Sequence, residues 1–205
     1  MVVVLGSAAL LTAAGCWASS NPRLHPGASV WFEGPVRWLM LPEELKDFRR
    51  LSGNDEALRF IEEFWRRRDP TPGDGENPFR TAFFERAGAA DRLYQNEGVR
   101  GSLTDRGGVL VLFCSPSVLR YRQVSTPVLA PGKREGAGAS RSRWLTQEIW
   151  SYRPEELPSG FDEQLEESER GREILFVFAA EARRTYLLEG ENYLKIAARA
   201  SVRRP

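Results

Sequence analysis

A single histidine, His25, and two cysteines, Cys16 and Cys114, are all that this 205-residue chain has of those residue types. No Cys-x-x-Cys and no grouping of Cys with His occurs. A structural zinc site needs about four such ligands, and a Ser-His-Asp or Cys-His nucleophile needs a histidine partner. Neither chemistry is supported, and no catalytic set, metal site or cofactor is expected. Charge of one sign is also missing. Twenty-nine basic residues face 28 acidic ones, a formal net charge of +1. Nucleic-acid binders ordinarily carry a clear basic surplus, so no nucleic-acid partner is expected.

A long hydrophobic run is lacking as well. Val2 to Ala14 is almost wholly apolar, but a bilayer span needs about 20 residues. The run has the length of a signal-peptide core. It ends Ala13-Ala14-Gly15-Cys16, which resembles the lipobox of bacterial lipoproteins, although no Lys or Arg precedes it and Ala13 stands where Leu is usual. That resemblance implies cleavage before Cys16 and a diacylglycerol on its thiol. Residues 1–15 then read as a lipoprotein-type signal peptide and 16–37 as a tether and N-terminal arm. The alternatives are a plain signal peptide, or an opening strand and helix of the core.

The remainder is globular in composition, with 41% hydrophobic and 11% aromatic residues. Pro42 suits a first helical turn, with Leu45, Phe48 and Leu51 at helical spacing. Asn54 is a plausible N-cap for a second helix striped by Leu58, Ile61 and Trp65, which should stop before Pro70. Asn77-Pro78 opens a third, carrying Phe79, Phe83, Ala87, Ala90 and Tyr94. Gly107-Gly108 then reads as the opening of a strand, Val109 to Phe113, with Cys114 as a buried thiol. Pro127 to Arg143 reads as a flexible loop and Glu155 to Gly171 as an acidic linker. Trp144, Thr146, Glu148, Trp150 and Tyr152 alternate as one strand face. Ile174 to Phe178 and Thr185 to Leu188 read as a hairpin, and Tyr193 to Ala200 as a terminal helix. Helices first and strands afterwards predict an α+β fold: about three N-terminal helices packed on a mainly antiparallel sheet of about four strands.

Three segments carry a family resemblance. They are Phe60-Ile61-x-x-Phe64-Trp65-x-x-Arg68-Asp69-Pro70-x-Pro72, Asn77-x-x-Arg80-x-x-Phe83-x-x-Arg86, and Gly101-Ser102-Leu103-Thr104-Asp105-Arg106-Gly107. Together they resemble the bacterial GWxTD domain, over residues 38–200, with Ser102 where the naming motif has Trp. The resemblance implies an exported lipoprotein, in accord with Cys16, and carries no established activity.

The charged candidates are Asp69, Arg80, Arg86, Thr104, Asp105 and Arg106. Carboxylates beside guanidiniums can hold a phosphate or a glycan. They can equally serve as turn caps and ion pairs. Trp144, Trp150 and Tyr152 form a candidate aromatic contact surface. The leading reading is a non-catalytic, membrane-tethered envelope lipoprotein on the periplasmic side, a binding or assembly module anchored through Cys16. Its partner would be another envelope protein. The alternatives are an envelope hydrolase using Asp69 and Asp105, or a purely structural lipoprotein.

Overall fold

The computed structural model describes Leu24 and residues 26–128, 141–181 and 184–202. Cys16, His25 and the segment from 129 to 140 lie outside these residues, and with them the lipid-anchor reading and most of the expected loop.

The described chain is α+β. A short turn of helix, α1 (Pro26–Ser29), and two 3-10 turns (Trp31–Glu33 and Pro35–Trp38) lead into α2 (Pro42–Phe48), α3 (Asn54–Arg66) and α4 (Pro78–Leu93). Helix α5 (Asp105–Phe113) follows, then strands β1 (Val118–Val128), β2 (Arg141–Tyr152), β3 (Ile174–Glu181) and β4 (Arg184–Glu189), and lastly α6 (Glu191–Ala200). All strand pairings are antiparallel, in the order β1-β2-β3-β4. The helices are therefore not all N-terminal, since α6 follows the sheet.

Several sequence expectations hold. Asn77 Oδ1 accepts from Arg80 N at 2.8 Å and caps α4, with Pro78 at its first position. The 174–178 and 185–188 segments are the cores of β3 and β4, paired as a hairpin.

The largest correction concerns 109–113, which is helix, not strand. Thr104 Oγ1 accepts from Gly107 N at 3.0 Å, an N-cap, and Asp105 stands in the positively polarised first turn. Every residue from Gly107 to Phe113 is buried. A helix buried on all sides has no amphipathic period, so a short apolar run does not separate it from a strand. Cys114 is accordingly no buried strand thiol. It is exposed and ends α5 with φ 66°, in the left-handed region. The acidic stretch 155–171 is likewise not a bare linker. It forms two 3-10 turns and puts Phe161 and Leu165 in the core at 0% and 3% exposure. The arm at 31–37 is also part of the folded unit, for Phe32 and Val36 are buried. Strand β1 has no counterpart in the sequence reading.

The core lies between one sheet face and the helices. Phe113 is its hub, its ring 5.0 Å from Phe176, 5.3 Å from Phe161 and 5.5 Å from Tyr152. Aromatic pairs at these separations add about 1 kcal/mol each beyond burial. A second cluster joins Phe32, Phe48 and Ala57 under the arm.

The 3-10 turn Gly101–Leu103 is tied to α4 by Asp91, which accepts from Ser102 N (2.7 Å) and Arg100 Nε (2.7 Å). Partial burial raises its pKa, but these hydrogen bonds and the Arg100 charge outweigh that and hold it below the ordinary carboxylate range. A depressed folded pKa gives stability that is present above the unfolded value of about 4 and lost as pH falls through the folded one. Urea melts between pH 6 and 2 should therefore show a smaller acid-induced loss in Asp91→Asn than in the parent chain. Equal pH slopes would refute this.

Candidate functional site

The sequence-derived charged residues separate into three places. Asp69 and Arg80 line one open groove of about 690 Å³ with Trp65 and Phe84. There Asp69 Oδ1 accepts from Thr71 N at 3.0 Å, closing the turn through Pro70. Arg80 lies 5.6 Å over the Trp65 ring. Arg86 is elsewhere, donating Nε to Val111 O at 2.7 Å.

Thr104, Asp105 and Arg106 sit at the junction of helices and sheet. Arg106 Nε donates to Glu97 Oε1 at 3.0 Å, and its Nη1 to Glu148 Oε2 at 3.0 Å. The guanidinium lies 4.5 Å over the Tyr94 ring, and burial pushes the Tyr94 hydroxyl up to about 12. Glu148 Oε1 also accepts from Trp150 Nε1 at 2.6 Å. Asp105 does not serve its own turn, as the sequence suggests. Its Oδ2 accepts from Leu187 N of β4 at 2.8 Å, and Glu97 Oε2 accepts from Thr185 N at 3.1 Å. Two alternate amides of β4 thus end on carboxylates of the helical layer.

Glu97, Glu148, Glu44 and Arg68 are the polar residues that sequence reading missed. Each has a partner 24, 42 or 88 positions away, Arg68 with Glu44, Glu148 with Arg106 and Glu97 with Thr185, and no local pattern announces such long-range pairs. Ser102 is fully buried. An aromatic does stand beside it. Trp38 Nε1 donates to Ser102 O at 2.8 Å, and its indole covers Gly108.

The aromatic strand divides into two halves. Cross-strand partners share a face, so Trp144, Thr146, Glu148, Trp150 and Tyr152 lie with Ser125, Gln123, Tyr121 and Leu119 on the core side of the sheet. Trp150 and Tyr152 are 2% and 0% exposed beneath the helices. They are core, not contact surface. On the outer strand β1 this face is uncovered, leaving Tyr121 65% and Leu119 44% exposed beside the buried Glu148 and Trp150, and nearer the hairpin end of β2 Trp144 is 67% exposed. The opposite face of β1 carries Arg120 and Arg122, Arg122 Nε donating to Gln147 Oε1 at 2.7 Å. Residues 118–128 and 141–147 contain four arginines and no carboxylate. Among the described residues no strand pairs with the outer edge of β1. The sheet has one edge closed by Glu97 and Asp105 and one edge open.

Among the described residues no helix is long and apolar enough to cross a membrane, and no group of His, Cys, Asp and Glu is placed to hold a metal ion. Comparison with protein families, with curated proteins and with solved structures finds no match to this chain.

Proposed function

We propose that this chain is a non-catalytic binding or assembly module of the bacterial cell envelope, of the GWxTD type. It is anchored by lipid at Cys16 on the periplasmic side and takes its envelope-protein partner along β1. The observation that carries the contact is the open edge of β1 beside the exposed Tyr121 and Trp144. Open strand edges are sites of strand addition, in which main-chain hydrogen bonds give affinity and flanking side chains give selectivity. Here the flanks are Tyr121 and Trp144 on one face and Arg120 and Arg122 on the other. A partner strand that alternates apolar and acidic residues would meet both. Asp69 and Asp105 are each committed to a backbone amide, which favours binding over hydrolysis.

Two experiments, one for the anchor and one for the contact, test this reading. In cells fed radioactive palmitate, the parent chain should be labelled and Cys16→Ala should not. Crosslinked envelopes of the parent should contain a captured protein band that Trp144→Ala together with Tyr121→Ala reduces by about tenfold, loss of two interface aromatics being worth roughly 1.4 kcal/mol or more. Labelling of Cys16→Ala would sink the anchor. An unchanged band in the aromatic variant would sink the contact.

A further inference from the structure

The cavity between α4, α5 and α6 has a different character from the hairpin. Its volume is about 310 Å³, at the lower end for small-molecule sites. Its walls are mainly apolar, from Leu39, Pro70, Phe79, Leu112, Ala197 and Ala200. Two arginines, Arg68 and Arg86, and the hydroxyls of Ser159 and Ser201 are its polar lining, with no carboxylate among the described lining residues. Arg68 is neutralised by the bidentate fork it makes with Glu44. Among the described residues Arg86 has no carboxylate partner. Its only hydrogen bond among the described residues is from Nε to Val111 O, a carbonyl in the last turn of α5. That bond fixes the guanidinium and leaves both terminal NH2 groups as an unpaired, planar donor edge.

A partly buried guanidinium in apolar surroundings is costly without a counter-ion. A planar donor pair matches the two oxygens of a carboxylate or phosphate. The apolar walls match a short alkyl chain. We propose that this cavity binds a small single-chain amphiphile, its carboxylate or phosphate head on the Nη1/Nη2 edge of Arg86 and its chain against Phe79, Leu112, Ala197 and Ala200. Arg68 supplies neither net charge nor donors, since Glu44 neutralises it and its nitrogens are spent on Glu44, Phe64 O, Leu39 O and Ser201 Oγ. This inference stands independently of the hairpin.

The test is a titration of the full chain with octanoate, octyl phosphate, octanol and acetate, following the methyl resonances of Leu112, Ala197 and Ala200. At least one octyl anion should shift these methyls saturably, and which one does so identifies the head group. Octanol and acetate should bind at least about tenfold more weakly, since each lacks one half of the recognition. Arg86→Gln should weaken the octyl anion by about tenfold or more. Ala200→Phe should fill the cavity and abolish binding with the circular dichroism spectrum retained. The Ala200→Phe result decides alone if Arg86→Gln does not fold. The Trp144→Ala chain should bind the anion as the parent does. No saturable shift with either octyl anion, parent-like binding by folded Arg86→Gln, or parent-like binding by Ala200→Phe would overturn the assignment.

Discussion

Gly101→Ala should strongly destabilise the protein, and Gly107→Ala should do nearly the same. A Cβ on Gly101 would lie inside the carbonyl of Ala90, and one on Gly107 inside the carbonyl of Gly101. Both obstacles are backbone, which cannot rotate away as a side chain end can. The three positions are stacked, with α4 below the 101–103 turn and that turn below the first turn of α5. Moving any one of them would shift the Arg106 clamp and the Phe113 hub. Overpacking of ordinary cores costs about 1–3 kcal/mol, and here the clash is with main chain, so a loss above about 3 kcal/mol is expected. Gly53 supplies the control, for nothing lies within 4 Å of the corresponding Cβ position. Urea denaturation followed by circular dichroism checks the order. Near-parent stability of Gly101→Ala would show that α4 and the turn can separate cheaply.

The same stacking explains what could be read in the sequence and what could not. Helices α2, α3 and α4 were legible because each has a cap, a proline or an apolar stripe within its own length. Strands β3 and β4 were legible from two apolar runs close together. Helix α5 was not, because its glycines are needed for close approach to the 101–103 turn and to Trp38, a role that looks like a turn signal in sequence. Strand β1 was not, because an edge strand with Arg120, Arg122 and Gln123 has little apolar alternation to show. Among candidate site residues, the local role of Asp69 was recoverable, since its partner is two positions on. The destination of Asp105 was not, since its partner lies 82 positions away. Alternation put Trp144, Trp150 and Tyr152 on one face, as found. Where the helical layer ends above that face is a tertiary fact, and it decides that only Trp144 of the three is available.

The sheet edges follow from the same geometry. At β4 the amides of Thr185 and Leu187 meet carboxylates already positioned by the 3-10 turn Gln95–Glu97 after α4 and by the start of α5. A protein that protects one strand edge with buried carboxylates and leaves the other beside exposed aromatics restricts strand addition to one side. In the proposed binding module, selectivity would come as much from the closed edge as from the open one.

Arg68→Met and Glu44→Leu should each cost about 3–5 kcal/mol, although neither residue is near the hairpin. Their side chains are 0% and 2% exposed, joined at 2.8 Å and 3.0 Å in a bidentate fork. Burial lowers the Arg68 pKa, and Glu44 opposes that shift. Removing Glu44 leaves Arg68 buried without a counter-charge, and removing Arg68 leaves the buried Glu44 with only the more exposed Arg67 as its partner. Arg68 also donates to Phe64 O, in the last turn of α3, and to Leu39 O, while its guanidinium lies 3.7 Å over the Phe64 ring. Glu44 accepts from Leu41 N at 2.9 Å, which starts α2, and from Arg67 Nη2 at 2.9 Å. The pair therefore fastens α2, the end of α3 and the 35–38 turn together. The double variant Arg68→Met with Glu44→Leu should cost less than the sum of the single losses by about 2 kcal/mol, because no lone charge is then stranded. It should not regain parent stability, since Phe64 O, Leu39 O and Leu41 N lose their partners whichever way the charges are removed. Urea midpoints of the four chains provide the cycle. Strict additivity would mean that the two charges do not compensate each other. Full recovery in the double variant would mean that the backbone contacts of Arg68 and Glu44 contribute little.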